Sequence, residues 1–194
     1  MGDYAIISFM SGHSKWSTIK RKKEANDSKR SKIFSKLSRL ITVAARLGTD
    51  IDTNPTLRLA VEKAKEARMP KENIERAIAK VKGGNGSDSY EEIKYEGYGP
   101  YGVAFLIIAL TDNKYRTVAE IRNIFNKYGG NLGALGSTSY IFGDDPSNPS
   151  FEVALADAES LNVITNMIDH LEELDDVQEV FSNFSAPDSL MENL

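Results

Sequence analysis

The charged residues of this chain are sorted by position. Residues 1–82 carry 19 Lys and Arg against 9 Asp and Glu, a balance of +10, whereas residues 83–194 carry 5 against 19, a balance of −14. The net charge of −4 hides both values. The divide falls at Gly83-Gly84-Asn85-Gly86-Ser87-Asp88-Ser89, whose glycines and small polar residues read as a flexible linker. Two domains are therefore expected, a basic one that meets a polyanion and an acidic one that stays clear of it.

Other features narrow the class. The absence of cysteine removes disulfides, thiolate zinc sites and a cysteine nucleophile together. The longest apolar run, Val103 to Leu110, falls well short of the roughly 18 residues that span a bilayer, so no membrane role is expected. Met1 to Phe9 has Asp3 where a secretory signal carries basic charge, which makes a cytosolic protein the default.

Periodicity separates the halves a second time. In the basic half Ile33, Leu37, Leu40, Ile41 and Ala44 share one side of a helix from about Ser28 to Leu47. Asn54-Pro55 starts a second helix, with a cap residue before proline at the first helical position, and Pro70 opens a third. None of the three can bury its apolar face alone, so a three-helix bundle is expected. In the acidic half Glu92 to Tyr98, Val103 to Leu110, Ser137 to Phe142, Phe151 to Leu155 and Val177 to Phe181 read as strands. Thr117-Val118-Ala119-Glu120 reads as a capping box that opens one helix, and Leu161, Ile164, Met167, Ile168 and Leu171 form the inner face of another. The expected fold is α+β: the bundle, then a ferredoxin-like α/β sandwich with a mainly antiparallel sheet. The expected boundaries are an N-terminal extension at 1–9, the basic helical domain at 10–82, the linker at 83–90, the acidic domain at 91–184 and a flexible tail at 185–194.

The basic charge is dense where it occurs. Between Lys15 and Arg46 there are 11 Lys and Arg, opposed only by Glu24 and Asp27. At about 100° per residue, Lys32, Lys36, Arg39 and Arg46 cluster roughly 140° from the apolar side, pointing away from the core. Such a stripe neutralises phosphates with little sequence information and a steep salt dependence. Ahead of it His13, Lys15, Trp16, Lys20, Arg21, Lys22 and Lys23 form an arm with one aromatic plane for stacking on a base.

Several ordered motifs resemble one family. Met10-Ser11-Gly12-His13-Ser14-Lys15-Trp16, Asp27 through Lys36, Met69 through Ile78, Tyr95-Glu96-Gly97-Tyr98-Gly99-Pro100, Asn113 through Arg122, Gly129-Gly130-Asn131-Leu132-Gly133 and Asp175 through Val180 are similar to the YebC/PmpR family. The resemblance runs from Met10 to about Asn183. It implies a non-enzymatic regulator of gene expression, either a DNA-binding transcriptional regulator or a ribosome-associated translation factor. It also implies that Gly12 to Trp16 and Lys29-Arg30-Ser31-Lys32 touch phosphates. Two departures stand out. Family members carry a third domain inserted after the segment corresponding to Ser137 to Phe142, where this chain has only Gly143-Asp144-Asp145-Pro146-Ser147-Asn148-Pro149. Met1 to Phe9 precede the usual start, so Met10 is an alternative initiator.

The expected partner is thus nucleic acid, rRNA on the ribosome or DNA, bound by His13, Lys15, Trp16, Lys20, Arg21, Lys22, Lys23, Lys29, Arg30, Lys32, Lys36 and Arg39. RNA is favoured, because no base-reading helix-turn-helix, zinc finger or zipper is evident. A rival is a protein-interaction module in which the acidic domain holds a protein partner. No catalytic residue, cofactor or metal is expected. Gly97-Tyr98-Gly99-Pro100-Tyr101-Gly102 matches the dinucleotide fingerprint by spacing, but a strand follows it instead of a helix, so a hairpin turn is the better account. His170 is expected to be exposed, and Glu172, Glu173, Asp175, Asp176 and Glu179 to form a solvated acidic face. Tyr95, Tyr98, Tyr101 and Tyr115 read as packing residues, with Tyr98 and Tyr101 open to exposure in a turn.

Overall fold

The computed structural model describes residues 27–82 and 90–191. The extension, the arm from His13 to Lys23 and the glycine linker lie outside the described residues.

Three helices make the basic half: α1 (Asp27–Ala45), α2 (Pro55–Glu66) and α3 (Lys71–Lys82). The Asn54 side chain accepts from the Leu57 amide while Pro55 occupies the first turn, as the Asn-Pro pair predicts. The Asn54 amide also donates to the carbonyls of Ala44 and Gly48, so one buried side chain both ends α1 and begins α2. Ile41, Ala44, Leu57, Ala60, Val61, Ala64, Ile74 and Ala77 form the bundle core. Alanines dominate, which lets the helices approach closely but limits the apolar area removed from water. Ile33, expected inward, stays 40% exposed, because the inner face of α1 meets its partners only from Phe34 onward.

The acidic half is an α/β sandwich. Strands β1 (Glu91–Tyr98), β2 (Ala104–Thr111), β3 (Asn131–Leu132) and β5 (Val177–Ser182) form an antiparallel sheet in the order β3-β1-β2-β5. Helix α4 (Lys114–Lys127) carries the chain from β2 to β3, which lies on the far side of β1, so the unit is a split βαβ. The second large helix, α6 (Ala158–Glu172), precedes β5. Both pack on one sheet face, where Phe105, Ile107, Ile121, Phe125, Leu161, Ile164, Met167, Ile168 and Leu171 are fully buried. On the opposite face Ile141 and Phe142 of a short helix, α5 (Ser139–Phe142), cover Ala104 and Leu106. Burial on both faces explains why β2 is a continuous apolar run. The remaining elements are a parallel pair, β4 (Val153–Ala154) and β6 (Phe184–Ser185), and a terminal turn, α7 (Asp188–Met191).

Three local expectations are corrected. Ser137 to Phe142, read as a strand, contains α5, because the buried Glu96 carboxylate accepts from the amides of Gly136 and Thr138 and from the hydroxyls of Thr138 and Ser139, holding the segment in a turn. Burial alone would raise the Glu96 pKa, but these four donors outweigh it and hold the group below the ordinary range. Thr117 is not a helix cap. Asn113 caps α4 by accepting from the Arg116 amide, which leaves Thr117 in the second turn with its hydroxyl turned inward. The strand expected at Phe151 to Leu155 is only Val153–Ala154.

Candidate nucleic-acid interface

Helix α1 offers two polar faces, which meet different surroundings. On the first, the Lys36 ammonium donates to the Glu172 carbonyl at 2.5 Å. Arg39 Nη1 donates to the Asp175 carbonyl and to Asp176 Oδ1, both at 2.7 Å. Arg46 Nη1 donates to the Tyr90 carbonyl at 3.2 Å, and the Arg39 guanidinium lies 5.7 Å from the centre of the Tyr90 ring. Glu172 closes α6, so Lys36 occupies the negative end of that helix and satisfies a carbonyl it cannot, while Arg39 binds the loop that follows. Three of the four cations in the stripe are therefore bound to the acidic half of their own chain, and Lys32 alone of the four is exposed with no ion pair among the described residues.

The carboxylate that receives Arg39 is Asp176, whose side chain is 3% exposed. It was expected in a solvated acidic face. Instead Oδ1 takes Arg39, and Oδ2 takes Arg116 at 2.7 Å, Thr117 at 2.7 Å and Thr111 at 3.0 Å. Burial would raise its pKa, yet the hydrogen bonds of Arg116, Thr117 and Thr111 and the Arg116 charge prevail and hold it below the usual aspartate value. In return Asp176 and Asp112 keep the Arg116 guanidinium more firmly protonated.

The second face of α1 turns toward α3. Ser31, Phe34, Ser35 and Ser38 form one wall of a groove, and Asn73, Arg76, Ala77 and Lys80 form the other, with Met69 at its end. Arg76 and Lys80 are exposed and have no ion pair among the described residues. Of the remaining predicted contacts, Arg30 is exposed and lies 5.4 Å from the centre of the Phe34 ring, while Lys29 falls in the first turn of α1. His13, Lys15, Trp16, Lys20, Arg21, Lys22 and Lys23 lie outside the described residues.

The glycine-rich turn is a hairpin loop joining β1 to β2 through a single 3-10 turn at Pro100–Gly102. Its glycines answer to packing: a Cβ on Gly97 would sit 2.7 Å from the Asn131 carbonyl, and one on Gly99 2.5 Å from the Phe105 ring. Tyr98 is half-buried, with its hydroxyl on the Ser137 carbonyl and the Tyr140 hydroxyl, whereas Tyr101 and Tyr115 are exposed. His170, expected to be exposed, is half-buried with Nδ1 hydrogen-bonded to the Tyr128 hydroxyl. Among the described residues no cluster of three His, Asp or Glu is placed to hold a metal ion, and no helix is long and apolar enough to cross a membrane.

Comparison with known proteins places these features in a family. A model described as the TACO1/YebC protein N-terminal domain matches residues 14–84, and one for the TACO1/YebC second and third domain matches residues 90–145. A protein of Borreliella afzelii named probable transcriptional regulatory protein is 51% identical over 95% of this chain and 69% of its own length. One of the same name from Syntrophus aciditrophicus is 44% identical over 95% of this chain and 99% of its own, an alignment of 248 residues against a chain of 194. A crystal structure of a conserved hypothetical protein from Aquifex aeolicus superposes with a TM-score of 0.76 at 36% identity, covering 86% of this chain and 95% of that one. With family models matched over the basic bundle and over residues 90–145 of the sandwich, and a relative 51% identical over 95% of this chain and 69% of its own length, the chain belongs to the TACO1/YebC family.

Proposed function

We propose that this protein regulates gene expression by binding nucleic acid through its helical half, with structured RNA on the ribosome as the favoured target. The observation that carries the proposal is the division of cations on the bundle. Lys36, Arg39 and Arg46 are bound to the acidic half, yet Arg30, Lys32, Arg76 and Lys80 remain exposed, and none of these four has an acidic side chain within ion-pair distance among the described residues. Exposed cations without acidic partners are available to phosphates, to which they bring affinity with little sequence information. The regulatory names of the Borreliella and Syntrophus relatives support the role in gene expression. The arm from His13 to Lys23 adds further phosphate contacts and one stacking plane at Trp16. The short loop at Gly143–Pro149 stands where the family inserts a third domain, so nucleic-acid binding here rests on the first two.

Duplex DNA is the second candidate target, favoured by one observation. Helices α2 and α3 are joined by only Ala67-Arg68-Met69-Pro70, a connection short enough for a helix-turn-helix. Against it, the exposed side of α3 carries Glu72 and Glu75 beside Lys71 and Arg76, which places acids where a major-groove helix meets phosphates. Cosedimentation decides between the two. The protein is expected to travel with ribosomes after DNase treatment and to leave them in high salt; binding that survives only on duplex DNA would reverse the choice.

A further inference from the structure

We infer that the groove between α1 and α3 is a binding site for the sugar-phosphate backbone of a single RNA strand, with Arg76 and Lys80 on the phosphates and Ser31 and Ser35 on the ribose hydroxyls. The inference rests on the nucleic-acid proposal above and names a site within it. Three observations carry it. Arg76 and Lys80 stand one turn apart on α3, separated by about 6 Å of helix rise, and both line the same wall. Facing them, Ser31 and Ser35 are also one turn apart on α1, exposed, and without a hydrogen-bond partner among the described residues. Between these polar residues the lining is completed by the apolar side chains of Phe34, Met69 and Ala77.

The chemistry of the walls selects the ligand. Two cations in register along a helix suit two successive phosphates of one strand, which they hold without reading bases. A hydroxyl both donates and accepts, and so complements a ribose 2′-OH, the group that distinguishes RNA from DNA. The groove is open to solvent along its length and has a volume of about 310 Å³. No carboxylate lines either wall, so a polyanion encounters no repulsion inside.

The test uses the full chain and a labelled, unstructured RNA 12-mer, with single-stranded DNA of the same sequence, a DNA duplex and inorganic phosphate as the other probes. The double variant Arg76→Gln/Lys80→Gln is expected to weaken RNA binding on the order of tenfold at low salt. It should also flatten the slope of log K against log salt by about 1.4, the value for two single-strand contacts. Ser35→Ala should lower the affinity for RNA several-fold and leave that for single-stranded DNA unchanged. All three substituted residues are exposed, so the melting temperature should stay within about 2 °C of the parent. An unchanged salt slope in the double variant overturns the groove assignment, as does displacement of the RNA by millimolar inorganic phosphate, which would mark an anion site without a strand. Failure of the parent chain to bind any nucleic acid overturns the function proposed above instead.

Discussion

The two polar faces of α1 differ in their residues and in what they meet. On one, Lys36, Arg39 and Arg46 donate to carbonyls and to a buried carboxylate in the acidic half. On the other, serines face Arg76 and Lys80 across an open groove. Both the charge and the partner separate them: the first face carries cations that meet the acidic half, and the second carries serines opposite the cations of α3. A cation 2.7 Å from a buried carboxylate is held by a charge-assisted hydrogen bond and faces the acidic half, so it lends little further attraction to a polyanion. The +10 of the first half is therefore only partly available to nucleic acid. Part of it holds the two domains together, and the acidic half serves α1 as an internal anion.

Breaking the bound face at its centre should have the largest effect. Asp176→Ala removes the acceptor of Arg39, Arg116, Thr111 and Thr117 at once and should destabilise the chain by about 3 kcal/mol, seen in urea unfolding. Acid should reproduce part of this. Because the folded-state pKa of Asp176 is depressed, its stabilisation is complete above the unfolded value of about 3.9 and is lost as pH falls through the lower folded value. Domain separation, followed by small-angle scattering, should therefore appear below about pH 4 and not between pH 5 and 8. A transition centred near pH 6 would assign the interlock to another group.

Glu96→Gln should act next in size and locally. It removes the charge from an acceptor of four hydrogen bonds and should cost about 1–2 kcal/mol, with faster amide exchange confined to Gly136–Phe142. The smallest stability effect is expected from Lys36→Ala. Its hydrogen bond to a helix-end carbonyl contributes about 0.5–1 kcal/mol, and RNA affinity should change less than twofold.

Much of the fold was legible because it follows local rules. Asn54-Pro55, the helical spacing of the inner residues of α6 and the apolar run of β2 each specify their element from neighbours along the chain. The errors arose where a distant side chain decides. Thr117 to Glu120 has the pattern of a capping box, but Asn113 sits one turn earlier and Asp176 claims the threonine hydroxyl from 59 residues away. The segment at Ser137 has strand-forming residues, and Glu96 of β1 turns it into a helix. The same limit applies to the candidate site. A helical projection places Lys36 and Arg39 away from the core of their own bundle, correctly, but it holds no information about the second domain that covers them. Arg76 and Lys80 carry no distinctive signal in the sequence, because cation density on α3 is ordinary and only the adjacent wall of α1 sets them beside a groove. Asp176 was hidden among four other acids, and its conspicuous signal, a threonine at both 111 and 117 with an arginine between them, becomes meaningful only once β2, α4 and β5 are brought together.

Salt titration of RNA binding in two matched charge-removal variants tests the division between the faces most directly. One variant, Lys36→Gln/Arg39→Gln, empties the bound face, and the other, Arg76→Gln/Lys80→Gln, empties the open one. If the faces differ as described, the slope of log K against log salt stays within error of the parent in the first and falls by about 1.4 in the second. An equal fall in both, or a fall in the first alone, would show that the stripe facing the acidic half is the true phosphate surface and that the two domains part to expose it.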